Sequence, residues 1–115
     1  MVNIYNSTKN NIIADKVNIA KTFLTRSIGL LSKTSMPKDE GLIIKPCCSI
    51  HTFFMRFPID VVFIDCKNMV VALYENVLPN RILPIHFSSL YVIELAAGQI
   101  ANKGIEKKDI IRVET

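Results

Sequence analysis

Glycine is scarce: the four residues, Gly29, Gly41, Gly98 and Gly104, are scattered along the 115-residue chain. No Gly-rich loop is there to cradle a phosphate, so nucleotide binding by such a motif is excluded. Cysteine is limited to three, an odd count too small for a secreted disulfide scaffold. Histidine is limited to two, and no second Cys or His pair stands at ligand spacing, so a closed structural zinc site lacks its ligands. Long apolar runs are missing as well. Residues 69–74 form one of the longest, far below the roughly 20 residues that span a bilayer. The first ten residues show no charged leader followed by an apolar stretch, so no signal peptide is expected. The expected location is the cytoplasm, with reduced thiols and no membrane partner. Repeats, low-complexity tracts and linkers are absent too, and a single domain over residues 1–115 is expected.

Acidic residues are few in the first third. Up to Lys38, six basic residues (Lys9, Lys16, Lys21, Arg26, Lys33, Lys38) face Asp15 alone, and the whole chain carries a net charge of +4. Such a face attracts an anionic partner or is simply solvated. No aromatic residues interleave the charge in the manner of a nucleic-acid surface, so no nucleic-acid partner is expected.

What the chain does have is apolar content, half of all residues, enough for a core without staples. Short extended segments recur between turn signals: 2–6, then 12–13 and 17–20 on either side of Asp15-Lys16 as an opening hairpin, then 41–45. Residues 50–56 and 59–65 follow, split by Pro58, and then 69–78, 90–95 and 110–113. The segments 59–65 and 69–78 flank a four-residue polar turn and read as a hairpin. The apolar spacing over 22–32 changes period and predicts a short helix with Thr22 as N-cap. A helical turn is expected before Gly104, and residues 79–89 form the long loop. The fold class is therefore mainly β, a compact antiparallel sandwich or barrel-like domain with one or two short helices.

The most informative stretch is 50–65. Four of the six Phe lie in it, with His51, Thr52, Arg56 and Asp60 threaded through them. Read as a strand, 50–57 puts His51, Phe53, Met55 and Phe57 on one face and Ile50, Thr52, Phe54 and Arg56 on the other. Segment 59–65 is apolar on both faces, as a doubly covered strand is, and Asp60 is its odd residue. A buried carboxylate needs a cation or several donors. Arg56, Arg26 and His51 are candidate partners; backbone N–H groups are the alternative. Arg26 and Glu94, each a lone charge in an apolar segment, form a candidate structural ion pair unless Arg26 faces water.

Residues 25–31 (Thr-Arg-Ser-Ile-Gly-Leu-Leu), 41–44 (Gly-Leu-Ile-Ile), 50–61 (Ile-His-Thr-Phe-Phe-Met-Arg-Phe-Pro-Ile-Asp-Val) and 91–98 (Tyr-Val-Ile-Glu-Leu-Ala-Ala-Gly) carry a likeness. From about residue 20 to the C-terminus the chain resembles the bacterial and archaeal domain-of-unknown-function family 192. The resemblance implies one small β-rich domain and no established activity. The chain departs from the family pattern twice: Lys108-Asp109 replaces a Gly-Asp turn, and Cys48 replaces a small polar residue.

Three functions remain in view. The first is a binding module that presents His51, Thr52, Arg56 and Asp60, with Cys47 beside them, to a small molecule or a protein. The second is a Cys/His-dependent enzyme, with Cys47 as thiolate, His51 as base and Asp60 as orienting group, or a metal-binding protein using Cys47 and His51. The third is an interaction module whose basic first third meets an acidic partner. No cofactor is expected, and whether a reaction is catalysed stays open. The competing reading of the same residues is structural, with Cys47 a small buried hydrophobe and the Phe residues plain core.

Overall fold

The computed structural model describes residues 1–20, 34–53 and 55–115. Its centre is β4 (Ile59–Asp65), in which Ile59 through Ile64 are all buried. The strand is covered on both faces, as a run apolar everywhere but Asp60 up to Ile64 requires. Val62 and Ile64 join one core cluster with Ile4, Val17, Ile43, Ile93 and Leu95. Ile59, Val61 and Phe63 join a second cluster with Leu42, Ile44, Met55, Phe57 and Val92.

Around β4 stand β1 (Val2–Asn6), β2 (Asn11–Ala20), β3 (Glu40–Ile44), β5 (Val70–Val77), β6 (Ser89–Ala96) and β7 (Ile111–Glu114), with one short helix, α1 (Gln99–Lys103). They form one sheet in the order β5-β4-β6-β3-β2-β1-β7. The β2–β3 pair is parallel; the other neighbours are antiparallel. The sheet curls until its two ends meet at one corner. There Met69 bridges Ile110, and the Ile111 N–H donates to the Asn68 carbonyl at 2.8 Å. The result is a half-barrel whose concave side holds the first cluster. At the end where β2 begins and β6 finishes, α1 inserts Ile100 into that cluster. No helix among the described residues is long and apolar enough to cross a membrane.

The expected mainly β class and the β4–β5 hairpin both stand. Asp65 makes the hairpin turn by accepting the N–H groups of Lys67 and Met69, each at 2.9 Å. Asn68 there takes a left-handed φ of 63°, a conformation Asn tolerates better than most residues. Two expectations need correction. Asp15-Lys16 does not separate two strands, because β2 runs unbroken through it. Between Val2–Val17 and Ile4–Ala14, three steps of β2 match two of β1, so the polar pair is taken up as a bulge. Both of its N–H groups then reach the Asp39 carbonyl at 3.1 Å. The opening hairpin is instead β1–β2.

Residues 50–57 are not a strand either. His51 makes one isolated bridge, to Ile82. Ile50, Thr52, Met55 and Phe57 are buried while Phe53 and Arg56 are exposed, so the two expected faces do not form. The cause is Thr52. Its N–H donates to the Arg81 carbonyl at 2.8 Å, and its hydroxyl donates to the Leu78 carbonyl at 2.7 Å. The same hydroxyl accepts the Arg81 N–H at 2.9 Å. A loop therefore satisfies the backbone that a neighbouring strand would otherwise bind. The helix expected over 22–32 lies outside the described residues.

The corner where the sheet ends meet is held by Asp109. Its carboxylate accepts Asn6 Nδ2 at 2.8 Å, the Glu106 N–H at 2.9 Å and Lys9 Nζ at 3.1 Å. Burial pushes the Asp109 carboxyl up, but the bonds from Asn6, the Glu106 N–H and Lys9 outweigh it and hold it below its ordinary 3.8. Lys108 beside it has a left-handed φ of 73°, a conformation glycine adopts at little cost.

Two outcomes follow from this corner. Lys108→Gly removes Cβ strain, partly offset by the freedom glycine gains when unfolded, and should raise unfolding free energy by about 0.5–1 kcal/mol in urea. Asp109 is depressed in the folded state, so its contribution is complete above the unfolded carboxyl range. It is lost as pH falls through the lower folded value. Asp109→Asn should therefore lower stability at pH 7 and flatten the decline between about pH 5 and pH 2 in acid denaturation curves.

Candidate functional site

His51, Thr52, Arg56 and Asp60 do not converge on one cavity. Asp60 is completely buried on the concave side of β4. Its Oδ1 accepts the Asn76 N–H at 2.8 Å, and its Oδ2 accepts the N–H groups of Gly98 at 3.0 Å and Ile100 at 2.8 Å. Backbone donors thus answer the carboxylate. The Asn76 donor turns inward because β5 carries an extra residue between Tyr74 and Val77, with Asn76 at a φ of 50°. Thr52 is equally buried, bound to the 78–81 loop as described. Arg56 is exposed. Glu94 is fully buried in β6, while Arg26, its expected partner, lies outside the described residues.

Cys47 and His51 do come together around a cavity. After β3, the Lys45–Pro46 peptide is cis. The segment beyond is then tied down from its far side. The Cys47 N–H donates to the Leu90 carbonyl at 2.8 Å, Ser89 Oγ donates to the Cys47 carbonyl at 2.9 Å, and the His86 N–H donates to the Cys48 carbonyl at 2.9 Å. With its backbone engaged in this way, the segment places Cys47, Cys48, Ser49 and His51 in the lining of a space of about 490 Å³. Ile44, Ile50 and Phe87 supply apolar lining. Phe87 is 88% exposed, so it stands as an open flank and not as core.

The chemistry of the lining is soft and mostly neutral. The Cys47 thiol donates to the Ser49 carbonyl at 3.1 Å. His51 Nδ1 accepts the Phe53 N–H at 3.4 Å. The Phe53 ring lies against the imidazole, with centroids 5.0 Å apart. Cys47, Cys48 and Cys66 are free thiols. Among the described residues, no three His, Cys, Asp or Glu side chains group to hold a metal ion.

Sequence spacing misses one polar pair. Tyr74 Oη and His86 Nε2 lie 2.6 Å apart, and the His86 ring packs on Phe63 with centroids 4.6 Å apart. Nothing in the sequence joins a tyrosine on β5 to a histidine in the long loop. The basic first third is partly spent on local pairs: Lys9 with Glu106 and Asp109, and Lys16 with Asp39.

The model of the family described as Uncharacterized ACR, DUF192, matches residues 4–113. The chain belongs to this family. Its match begins earlier than the resemblance drawn from residue 20 onward. A UPF0127 protein of Thermococcus gammatolerans is 33% identical over 114 residues, covering 94% of this chain and 72% of that relative. Among solved structures, a protein of unknown function from Novosphingobium aromaticivorans superposes with a TM-score of 0.81 at 23% identity, over 96% of this chain and 82% of the other. A candidate transcription regulator from Sinorhizobium meliloti superposes with a TM-score of 0.80 at 22% identity, over 97% of this chain and 91% of the other. At such identities these likenesses carry the fold of the DUF192 domain and nothing about its function.

In this DUF192 domain the central Asp is a fastener between β4, β5 and α1. Asp60→Ala leaves the N–H groups of Asn76, Gly98 and the buried Ile100 without their acceptor and should cost about 2–3 kcal/mol in chemical unfolding. Arg56→Ala, at an exposed position, should change stability by less than about 0.5 kcal/mol.

Proposed function

We propose that the protein is a binding module of the cytoplasm whose site is the Cys47–His51 cavity. Its ligand is a small, largely apolar molecule with one hydrogen-bonding head. The observation that carries this reading is the cavity itself, about 490 Å³ and lined by Ile44, Ile50 and Phe87 on apolar sides. Small-molecule sites combine such walls with a few placed polar groups. Here His51, Ser49 and the two thiols supply them. Thr52 and Asp60 support the site from outside: Thr52 fastens the segment that carries His51 to the 78–81 loop, and Asp60 holds β4. Arg56 is left as a surface residue of the neighbourhood.

The alternative, a Cys47–His51 enzyme, needs a thiolate.

An amide NMR titration with phenol and benzamide tests the proposal. Shifts should cluster at Cys48, Ser49, His51 and Phe87, and His51→Ala or Phe87→Ala should weaken binding about tenfold with the fold retained. Absence of shifts there at millimolar probe overturns the reading. Alkylation rates followed against pH separate the alternative, because a thiol reacting fully well below its ordinary range near pH 8.5 turns the argument toward an enzyme.

A further inference from the structure

The half-barrel has a second mouth, opposite α1, where β2 and β3 finish and β6 begins. A cavity of about 360 Å³ opens there, separate from the one at Cys47–His51. Ile43 and Ile111, both members of the concave core cluster, form part of its wall. Its rim is of a different character. Lys45 and Arg112 both line it, and no acidic side chain does so among the described residues.

These polar groups are held in place. Lys45 Nζ stands 5.7 Å from the centroid of the Tyr91 ring, and the Arg112 guanidinium carbon stands 4.6 Å over the ring of Tyr5. Aromatic faces thus orient both cations without neutralising them. No carboxylate pairs with Lys45 among the described residues. Arg112 has a single long contact, Nε to Glu114 Oε1 at 3.6 Å, between two exposed side chains. The Tyr91 hydroxyl donates to Asn68 Oδ1 at 2.9 Å, which leaves the Asn68 amide N–H groups to a guest. Burial first, and the Asp65 charge second, push the Tyr91 phenol up to about 12, so it stays a neutral donor. Asp65 itself is engaged by the Lys67 and Met69 N–H groups and is not part of the lining.

We propose that this mouth is a second ligand site, and that it takes a small organic carboxylate with a compact apolar tail. The tail enters between Ile43 and Ile111. The carboxylate meets Lys45 at the rim, with the Asn68 amide within the same lining; the Arg112 guanidinium, held over Tyr5 on the other face of β7, adds only its nearby charge. Charge complementarity selects the anion over a neutral analogue, and the apolar wall selects a tailed anion over a bare one. The site does not depend on the Cys47–His51 reading, and either stands without the other.

The test uses three probes with the full chain: hexanoate, 1-hexanol and acetate. In amide NMR titrations hexanoate should move Ile43, Lys45, Tyr91 and Ile111 and leave Cys48 and Ser49 unmoved. Hexanol and acetate should each bind at least tenfold more weakly. Lys45→Gln, at an exposed position that tolerates it, should weaken hexanoate about tenfold and leave hexanol unchanged. Added salt should weaken hexanoate alone. Equal binding of hexanol and hexanoate overturns the anion, and equal binding of acetate overturns the tail. No effect of Lys45→Gln, or shifts confined to another face, overturns the site.

Discussion

The structure depends on one buried carboxylate. Asp60 sits in the most apolar strand of the protein, where an unanswered charge would be untenable. Its three donors come from β5 and from the Gly98–Ile100 segment at the start of α1. They lie 16, 38 and 40 residues further along the chain. A single side chain therefore ties β4 to the edge strand beside it and to the helix at one end of the half-barrel. Gly98 contributes its N–H from a φ of 95°, a conformation open to glycine at little cost. Away from that end, among the described residues, stand the Cys47–His51 cavity on the convex side and the basic mouth at the far end.

The two openings differ in how they are made. The first is built by a segment outside the sheet, whose carbonyls are bound by Ser89 and His86 and whose continuation is fastened through Thr52. The second is built by strand ends, so its walls are sheet and its rim is turn and strand terminus. Both are framed by backbone hydrogen bonds, which reduces the ordering a guest would impose on them.

Local pattern made much of this legible. Residues 59–64 announce a doubly covered strand through apolar residues at every position but Asp60. The turn chemistry of Asp65 and Asn68 announces the hairpin. What failed was the reading of 50–57, because aromatic density imitates a strand while the deciding bonds, Thr52 to Leu78 and Arg81, span 26 to 29 residues. Asp60 was visible as an anomaly, and both kinds of partner were open. No local pattern says that amides from two distant elements will reach it. Tyr74 and His86 were silent for the same reason. Lys108 was the reverse case, since family likeness marked a glycine position and the φ of 73° shows why glycine suits it.

The extra residue near the end of β5 has one more consequence. As the last strand on its side of the sheet, β5 carries an outer row of polar backbone groups, the kind of edge on which other chains can build. At Asn76 the bulge swings one of those N–H groups inward, onto Asp60. The exposed Glu75 and Asn76 flank the same irregularity, so an approaching strand meets a break in register and a charge. The bond that anchors the core thus also spoils the template, and in a half-barrel that closes at only one corner it helps keep copies of the chain from zipping edge to edge.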